Sequence, residues 1–218
     1  TLAISSAASD VYKRQPVAAL DLYNFATELS FEVISIGKGK NNPFNTFATP
    51  SSLTKEASLK QMNPKMLTSF VDGTKTMVEM AALANFLGFN IDIDGMHGIE
   101  ATYENINQFY IPKKDGGLLD ESQVVDFAFG IAPGVFAVIY SEDDYVNYEM
   151  EYLKMGKGPY WTLARPYHLT SLEIPRTIRH IMLEKYSKLS AQSWNVEVVA
   201  HAKQDIEPGT NLGSIGGD

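Results

Sequence analysis

The chain has 218 residues, of which 18 are Lys or Arg and 26 are Asp or Glu, and it contains no cysteine. Without cysteine, thiolate metal sites, disulfides and cysteine nucleophiles are excluded. The net charge of -8 argues against a nucleic-acid-binding surface, which needs clustered Lys and Arg. No apolar run reaches the roughly 20 residues that span a bilayer, so we expect a cytoplasmic protein with neither nucleic acid nor membrane as a partner.

Both ends of the chain differ from its interior. Codons permitted for residues 5–15 spell an oligonucleotide that resembles the transposon-end adapter of sequencing libraries, so we predict that residues 1–15 are a translation artefact rather than a natural disordered arm. Residues 194–202 alternate like a strand and are followed by a turn at 205–210. We therefore expect residues 194–218 to be the truncated start of a further small β domain.

The first half of the interior has an α/β rhythm. Periodicity predicts a helix over 16–30, and the almost wholly apolar segment 31–36 predicts a buried strand. A glycine-containing loop over 37–43 follows. Further helices are predicted over 51–62 and 74–87, and Gly88 ends the second of these.

The second half is predicted to be α+β. We expect a weak helix over 102–110, and two strands over 124–129 and 134–140 that pair antiparallel through a turn at 131–133. A helix over 142–153, a strand over 160–164 and a helix over 171–186 complete the pattern.

The predicted loop after the first strand is one candidate site, and it contains Gly37, Lys38, Gly39, Lys40, Asn41 and Asn42. It is a poor dinucleotide-binding motif, because Asn42 occupies the third glycine position and Pro43 interrupts the helix that should follow. Two alternatives fit better. The loop holds a carboxylate or phosphate at the carboxyl end of a strand, with a lysine as acid or base, or it is a solvated lysine turn.

A second group of polar residues lies at the start of the 74–87 helix. Lys75 and Glu79 stand four residues apart and so share a helix face, and Asp72 precedes them. These residues either anchor a substrate, or Asp72 or Thr74 caps the helix while Lys75 and Glu79 form an ordinary surface pair.

His97, His168 and Arg165 lie near the ends of predicted elements. Arg165 could bind an anionic substrate in bidentate fashion, or it could simply face solvent. No histidine or carboxylate spacing typical of a metal site is present, so we predict no metal.

Seven segments, in this order, resemble the homoserine-dehydrogenase-like oxidoreductases that carry a C-terminal SAF domain. That family includes proteins similar to 1-deoxy-xylulose 5-phosphate reductoisomerase. The resembling segments are GKGKNNP at 37–43, TSFVDGTK at 68–75, Glu79 with Ala84-Asn85, GMHG at 95–98, APGVF at 132–136, GKGPY at 156–160 and RPYHL at 165–169.

The resemblance implies a fold and a domain order. Residues 16–36 would be the end of a Rossmann NAD(P)-binding domain, 37–193 an α+β substrate and dimerisation domain, and 194–218 the start of the SAF domain. It further implies an NAD(P)-dependent oxidoreductase, with a possible place in isoprenoid biosynthesis, that acts on a small anionic hydroxy or carbonyl substrate and forms a homo-oligomer. The main cofactor motif would lie outside this chain, so the chain alone should be inactive.

The resemblance also implies roles for individual residues. The catalytic set is Lys38, Lys40, Asp72 and Lys75; the substrate-binding set is Asn41, Asn42, Glu79, His97, Arg165 and His168; and Gly37 and Gly39 would contact NAD(P)H. The alternative hypothesis is a non-catalytic module that binds a small ligand or dimerises.

Overall fold

The structure is a computed structural model that describes residues 15–184 and 191–212. The predictions for residues 1–14, 185–186 and 213–218 lie outside these residues. The described chain forms two compact units, one from residues 15–41, 79–184 and 191–196 and the other from residues 42–78 and 197–212. No helix in the described ranges combines the length and apolar character needed to cross a membrane.

The first unit is built on a five-stranded mixed sheet. The strands are β1 (Glu32–Lys40), β2 (Ile99–Glu100), β3 (Val124–Phe129), β4 (Val135–Tyr140) and β5 (Tyr160–Arg165). Their order across the sheet is β2-β3-β1-β4-β5. β1 is central: it runs parallel to β3 and antiparallel to β4. β2 is parallel to β3 at one edge, and β5 is antiparallel to β4 at the other. The molecule is therefore an α/β protein, as predicted.

The predicted pairing of β3 with β4 is wrong, although both strands lie at the predicted positions. β1 lies between them, and the connection from β3 to β4 crosses the end of β1. The Gly39 amide donates a hydrogen bond of 2.8 Å to the Gly134 carbonyl. A Cβ atom at Gly39 would stand 2.4 Å from the Ala132 nitrogen, so only glycine lets the connection pass this closely.

β1 is also longer than predicted, because the segment 37–40 continues the strand instead of forming a loop. Glycine normally weakens a strand, which is why the sequence pattern ends the predicted strand at residue 36. In the structure, Gly37 admits the neighbouring β3 backbone: a Cβ atom at this position would lie 1.8 Å from the Asp126 carbonyl oxygen. The domain boundary predicted between residues 36 and 37 thus falls inside one continuous strand.

Five helices lie where the sequence predicts helices. They are α1 (Gln15–Glu28), α2 (Thr54–Leu59), α4 (Thr74–Leu87), α5 (Asp144–Tyr152) and α6 (Ile174–Glu184), which follows the 3-10 turn Thr170–Glu173. Asp143 caps α5 by accepting hydrogen bonds from the amides of Tyr145 and Val146. Gly88 ends α4 with a φ of 75°.

The structure departs from the predicted helices and strands at further places, among them the short strand β2, which the sequence does not predict. Helix α3 (Pro64–Val71) is absent from the prediction, and its cap is Asn63, whose side chain accepts from the Lys65 amide at 2.9 Å. The segment 102–110 contains only the 3-10 turn Ile106–Gln108. The segment 194–202 is not a strand, because its first residues bind a side chain: Asn85 Oδ1 accepts hydrogen bonds from the amides of Asn195 and Val196.

α1 packs on β1 and β4 and begins at Gln15, a residue that the sequence prediction assigns to the N-terminal artefact. The Gln15 side chain is buried, and its Nε2 lies 2.9 Å from the Gly39 carbonyl oxygen and 3.2 Å from that of Gly134. Gln15 therefore binds the same crossing point that Gly39 makes possible.

One apolar core cluster of the first unit lies on the face of the sheet toward which Gly37 turns. Tyr110 is fully buried there and stacks on Phe136 with a 5.5 Å separation of ring centroids. The buried cluster comprises Ile34, Ala101, Ile106, Tyr110, Ile111, Leu119, Val124, Ala128, Ile131, Phe136 and Val138. The second unit has a smaller core of Ala48, Ala57, Leu67 and Val71.

Candidate functional site

Lys38 and Glu79 form a buried ion pair in the first unit. Lys38 lies in the middle of the sheet and is 4% exposed, and Glu79, on α4, is 1% exposed. Lys38 Nζ donates a hydrogen bond to Glu79 Oε2. Of the predicted site residues, these two are brought together by the fold. Burying either charge without a partner would cost several kcal/mol, so the pair explains why a lysine can stand inside a strand.

Successive side chains of β1 point to opposite faces of the sheet, and this alternation fixes the face on which Lys38 meets Glu79. Gly37 and Gly39 turn toward one face of the sheet, so Lys38 and Lys40 lie on the opposite face, and Lys40 is also buried. A lysine in a water-poor setting can exchange a proton with a bound group, and a neighbouring carboxylate can hold it in position. The pair is thus chemically equipped for acid–base work.

A second buried charge, Asp126, lies on the other face of the sheet. Asp126 is fully buried on β3, and its carboxylate accepts hydrogen bonds from the amides of His97 (2.9 Å), Gly98 (3.1 Å) and Phe127 (2.7 Å). The Tyr110 hydroxyl lies 2.9 Å from Asp126 Oδ1. Burial raises the pKa of Asp126, and these hydrogen bonds oppose that rise. Burial, followed by the Asp126 charge, raises the pKa of Tyr110.

Asp126 thereby anchors the loop that presents His97. His97 Nε2 lies 2.8 Å from Asp92 Oδ2, and Asp92 Oδ1 accepts a hydrogen bond of 2.7 Å from the Asp120 amide. Sequence reasoning missed Asp92, Tyr110 and Asp126. The available signal was an aspartate within an otherwise apolar strand, since a buried charge in such a strand needs a set of partners.

Asp72 and Lys75 belong to the second unit and make structural contacts there. Asp72 Oδ1 accepts from the Thr74 amide at 2.9 Å at the start of α4, as the capping alternative predicted. Its other oxygen lies 3.0 Å from Lys203 Nζ. Lys75 Nζ stands 4.6 Å from the centre of the Phe70 ring. The prediction that Glu79 lies at the surface in a pair with Lys75 is wrong, because Glu79 is buried and binds Lys38.

Arg165 and His168 contact groups of their own chain. Arg165 donates a hydrogen bond to Glu173 and has a second carboxylate, that of Asp21, at 3.5 Å. His168 Nδ1 lies 2.6 Å from the Pro133 carbonyl oxygen. The Arg165 guanidinium is thus held by two carboxylates. Asn41 and Asn42 directly follow the end of β1, where Asn41 is exposed and Asn42 partly buried.

Gly37 and Gly39 do not fit a pyrophosphate cradle. The space that a side chain would take at each glycine is filled by backbone atoms of residues 126 and 131–132. The Gly39 amide is already bonded to Gly134. Within the described ranges, no cluster of three or more His, Asp or Glu residues is arranged to hold a metal ion.

A comparison with known protein families identifies the family of this chain. Residues 14–174 match the family model described as "Oxidoreductase DRL, catalytic domain". The chain belongs to this oxidoreductase family. A comparison with curated proteins gives no match. The DRL catalytic domain spans all five strands of the sheet and contains both Lys38–Glu79 and the His97 loop, and its match ends at the first residue of α6.

If the ion pair is a buried unit, Lys38→Met should lower the free energy of unfolding by about 3 kcal/mol, because Glu79 then keeps its charge without Lys38. The double variant Lys38→Met with Glu79→Leu should recover most of that loss, since a well-packed apolar pair replaces the ionic one. Denaturant unfolding of the three proteins measures both values.

The exposed pair of Lys60 and Glu56, with side chains 46% and 45% exposed, is the matched control. Lys60→Met should change stability by less than about 0.5 kcal/mol. Equal costs for Lys38→Met and Lys60→Met, or additive losses in the double variant, would contradict a buried pair.

Asp126→Asn should destabilise the domain by about 2 kcal/mol, because an amide nitrogen cannot accept the hydrogen bond from the His97 amide. The effect should depend on pH. Since the pKa of Asp126 is raised on folding, its stabilising contribution is greatest at low pH and is lost as the pH rises through the folded pKa. The stability difference from wild type should therefore narrow as the pH rises above about 4, the ordinary pKa of an aspartate, as measured by denaturant unfolding.

Tyr110→Phe is the control for this prediction, because it keeps the stack on Phe136 and all three amide contacts to Asp126. It should cost about 1 kcal/mol. A difference between wild type and Asp126→Asn that widens with pH would show that Asp126 has the opposite linkage.

Proposed function

We propose that this chain is the substrate-handling part of an NAD(P)-dependent oxidoreductase that acts on a small anionic hydroxy or carbonyl compound. Membership of an oxidoreductase family supports the reaction class in this proposal. The observation that carries it is the Lys38–Glu79 pair, a lysine buried in a central strand against a buried carboxylate. Buried ionisable groups that have a specific charge partner are found disproportionately at functional sites.

Lys38 has the chemistry of a proton donor to a substrate oxygen. When a carbonyl is reduced, its oxygen gains a proton, and the Lys38 ammonium supplies it and becomes an amine. Glu79 holds the Lys38 side chain in place before and after this transfer, because the carboxylate accepts its hydrogen bond in the charged state. In the oxidative direction, the amine takes the proton back from the hydroxyl.

The residues around Lys38 set the direction from which a substrate approaches. Lys40 ends β1, and Asn41 follows it, at the carboxyl end of strands that run parallel to one another. This is the end at which open α/β sheets bind ligands. We assign Lys40 and Asn41 to orienting the substrate. Asp72, Lys75, Arg165 and His168 are left with structural roles.

The cofactor part of the proposal rests on the family resemblance. NAD(P)H, when bound, supplies a hydride. Neighbouring backbone atoms occupy the space beside Gly37 and Gly39, so we place no dinucleotide against these two residues. In this proposal the residues of this chain transfer the proton and contact the substrate.

Lys38→Arg tests the proposal in the full-length gene product. Arginine keeps the positive charge against Glu79 but does not release its proton at neutral pH. We expect kcat to fall at least about 100-fold, with the thermal midpoint of unfolding changed little. The assay follows nicotinamide absorbance with a panel of small carbonyl acids and sugar phosphates.

Two further variants keep this test decisive. Lys60→Arg should leave kcat unchanged. Lys38→Met with Glu79→Leu, in which we expect stability to be largely recovered, should be as inactive as Lys38→Arg. Full turnover by a folded Lys38→Arg protein, or by the double variant, would overturn the assignment of Lys38.

A further inference from the structure

His97 lies in the loop between α4 and β2, where hydrogen bonds fix both its side chain and its backbone. The His97 side chain is 16% exposed, and its Nε2 faces Asp92, whose side chain is 2% exposed. The amide of His97 is bound to the fully buried carboxylate of Asp126. The preceding residue, Met96, has a φ of 65°, a left-handed conformation that costs a non-glycine residue about 1 kcal/mol.

This loop is a different place from the Lys38–Glu79 pair. In the register of β1 and β3, Gly37 aligns with Asp126, and Lys38 aligns with Phe127. Aligned residues share a face, so Asp126 and Lys38 lie on opposite faces of the sheet. The contacts that hold His97 therefore do nothing to support the ion pair, and they need their own explanation.

Asp92 fixes the protonation pattern of the imidazole. A carboxylate only accepts hydrogen bonds, so in a neutral His97 the proton must be on Nε2, which faces Asp92 Oδ2. Nδ1 then carries the lone pair. Among the described residues, no side chain or backbone group is hydrogen-bonded to Nδ1, and this atom is not enclosed away from solvent. Its lone pair is free to meet a ligand.

None of the charged and titratable groups described around His97 is hydrogen-bonded to Nδ1, so the Nδ1 lone pair is the reactive feature of the ring. Asp92 binds the far nitrogen, Asp126 binds the backbone and not the ring, and the Tyr110 ring stands 6.5 Å away from the imidazole. Lys113, which feels the Asp92 charge, is itself bound to Asp120. Two buried carboxylates, Asp92 at the ring and Asp126 at the backbone, thus hold one base in a fixed orientation, an arrangement typical of an acid–base residue.

We propose that His97 is an acid–base residue for a hydroxyl-bearing ligand, that Asp92 is its positioning residue, and that Asp126 holds the loop. The proton of a ligand hydroxyl, distinct from the oxygen that exchanges its proton with Lys38, passes to Nδ1. This leaves an alkoxide on the ligand and an imidazolium whose Nε2 proton stays hydrogen-bonded to Asp92, and the reverse transfer restores both. That the ligand is a hydroxy compound rests on the proposed oxidoreductase function; the geometry of the dyad does not.

Nitrogen-15 NMR of the imidazoles tests the geometry without any ligand. Wild-type His97 should be the Nε2–H tautomer at a pH where it is neutral, with His97→Gln used to assign its signals. Asp92→Asn should invert it to Nδ1–H. In this variant the amide oxygen stays with the Asp120 amide, and the amide nitrogen then donates to Nε2. Asp94→Asn, at an exposed position in the same loop, should change nothing.

Turnover of the full-length gene product tests the chemistry, with the same nicotinamide assay. Asp92→Asn and His97→Gln should each lower kcat at least about 100-fold and flatten the limb of the pH–rate profile that His97 produces, while Asp94→Asn keeps both. Gln can still donate to Asp92, so we expect the His97→Gln protein to unfold at nearly the wild-type temperature.

The outcomes separate this inference from the function of Lys38. An Nδ1–H tautomer in the wild type, an unchanged tautomer in Asp92→Asn, or full turnover by folded His97→Gln would overturn the role of His97. Full turnover by Lys38→Arg together with loss in His97→Gln would overturn the role of Lys38 and leave that of His97 intact.

Discussion

The structure depends on how closely β1 approaches its neighbours at Gly37 and Gly39. At the first position the β3 backbone, and at the second the connection between β3 and β4, fills the volume that any side chain would need. Because strand residues alternate, two glycines on one face require that Lys38 and Lys40 take the other face. A lysine forced into the interior in this way is stable only beside an opposite charge, and Glu79 on α4 provides it. The packing of the sheet and the position of the ion pair are therefore consequences of the same short segment.

The first unit buries charge on both faces of its sheet and compensates it differently on each. Lys38 and Glu79 neutralise each other. Asp126 instead collects hydrogen bonds from three amides and a phenol, which stabilise a carboxylate that burial disfavours. These hydrogen bonds also fix the backbone of the loop that carries His97, whose side chain is partly buried. An oxidoreductase needs groups that hold and move protons at fixed points, and this is the role that we propose for each arrangement.

Local patterns in the sequence are sufficient to predict much of the fold. The helix Thr74–Leu87 and the strands Val124–Phe129 and Val135–Tyr140 follow directly from apolar periodicity and from Gly88. The order of the strands does not follow, because it depends on which backbones can pack closely, and glycine indicates a strand end when its neighbours are unknown. The contact of Lys38 with Glu79 joins residues 41 positions apart. Local spacing instead pairs Glu79 with Lys75, so the sequence identifies the lysine but not its partner.

The most direct test of a buried Lys38 is hydrogen exchange of the amides of Gly37, Lys38 and Gly39 in the native protein, set against the free energy of global unfolding from denaturant. If these residues are the centre of the sheet, their exchange should require global unfolding, and the two free energies should agree. Exchange of these amides at the low free energy typical of an exposed turn would mean that the segment is a loop. Lys38 would then not be held inside the sheet, and the close packing at Gly37 and Gly39 could not be the cause of the ion pair.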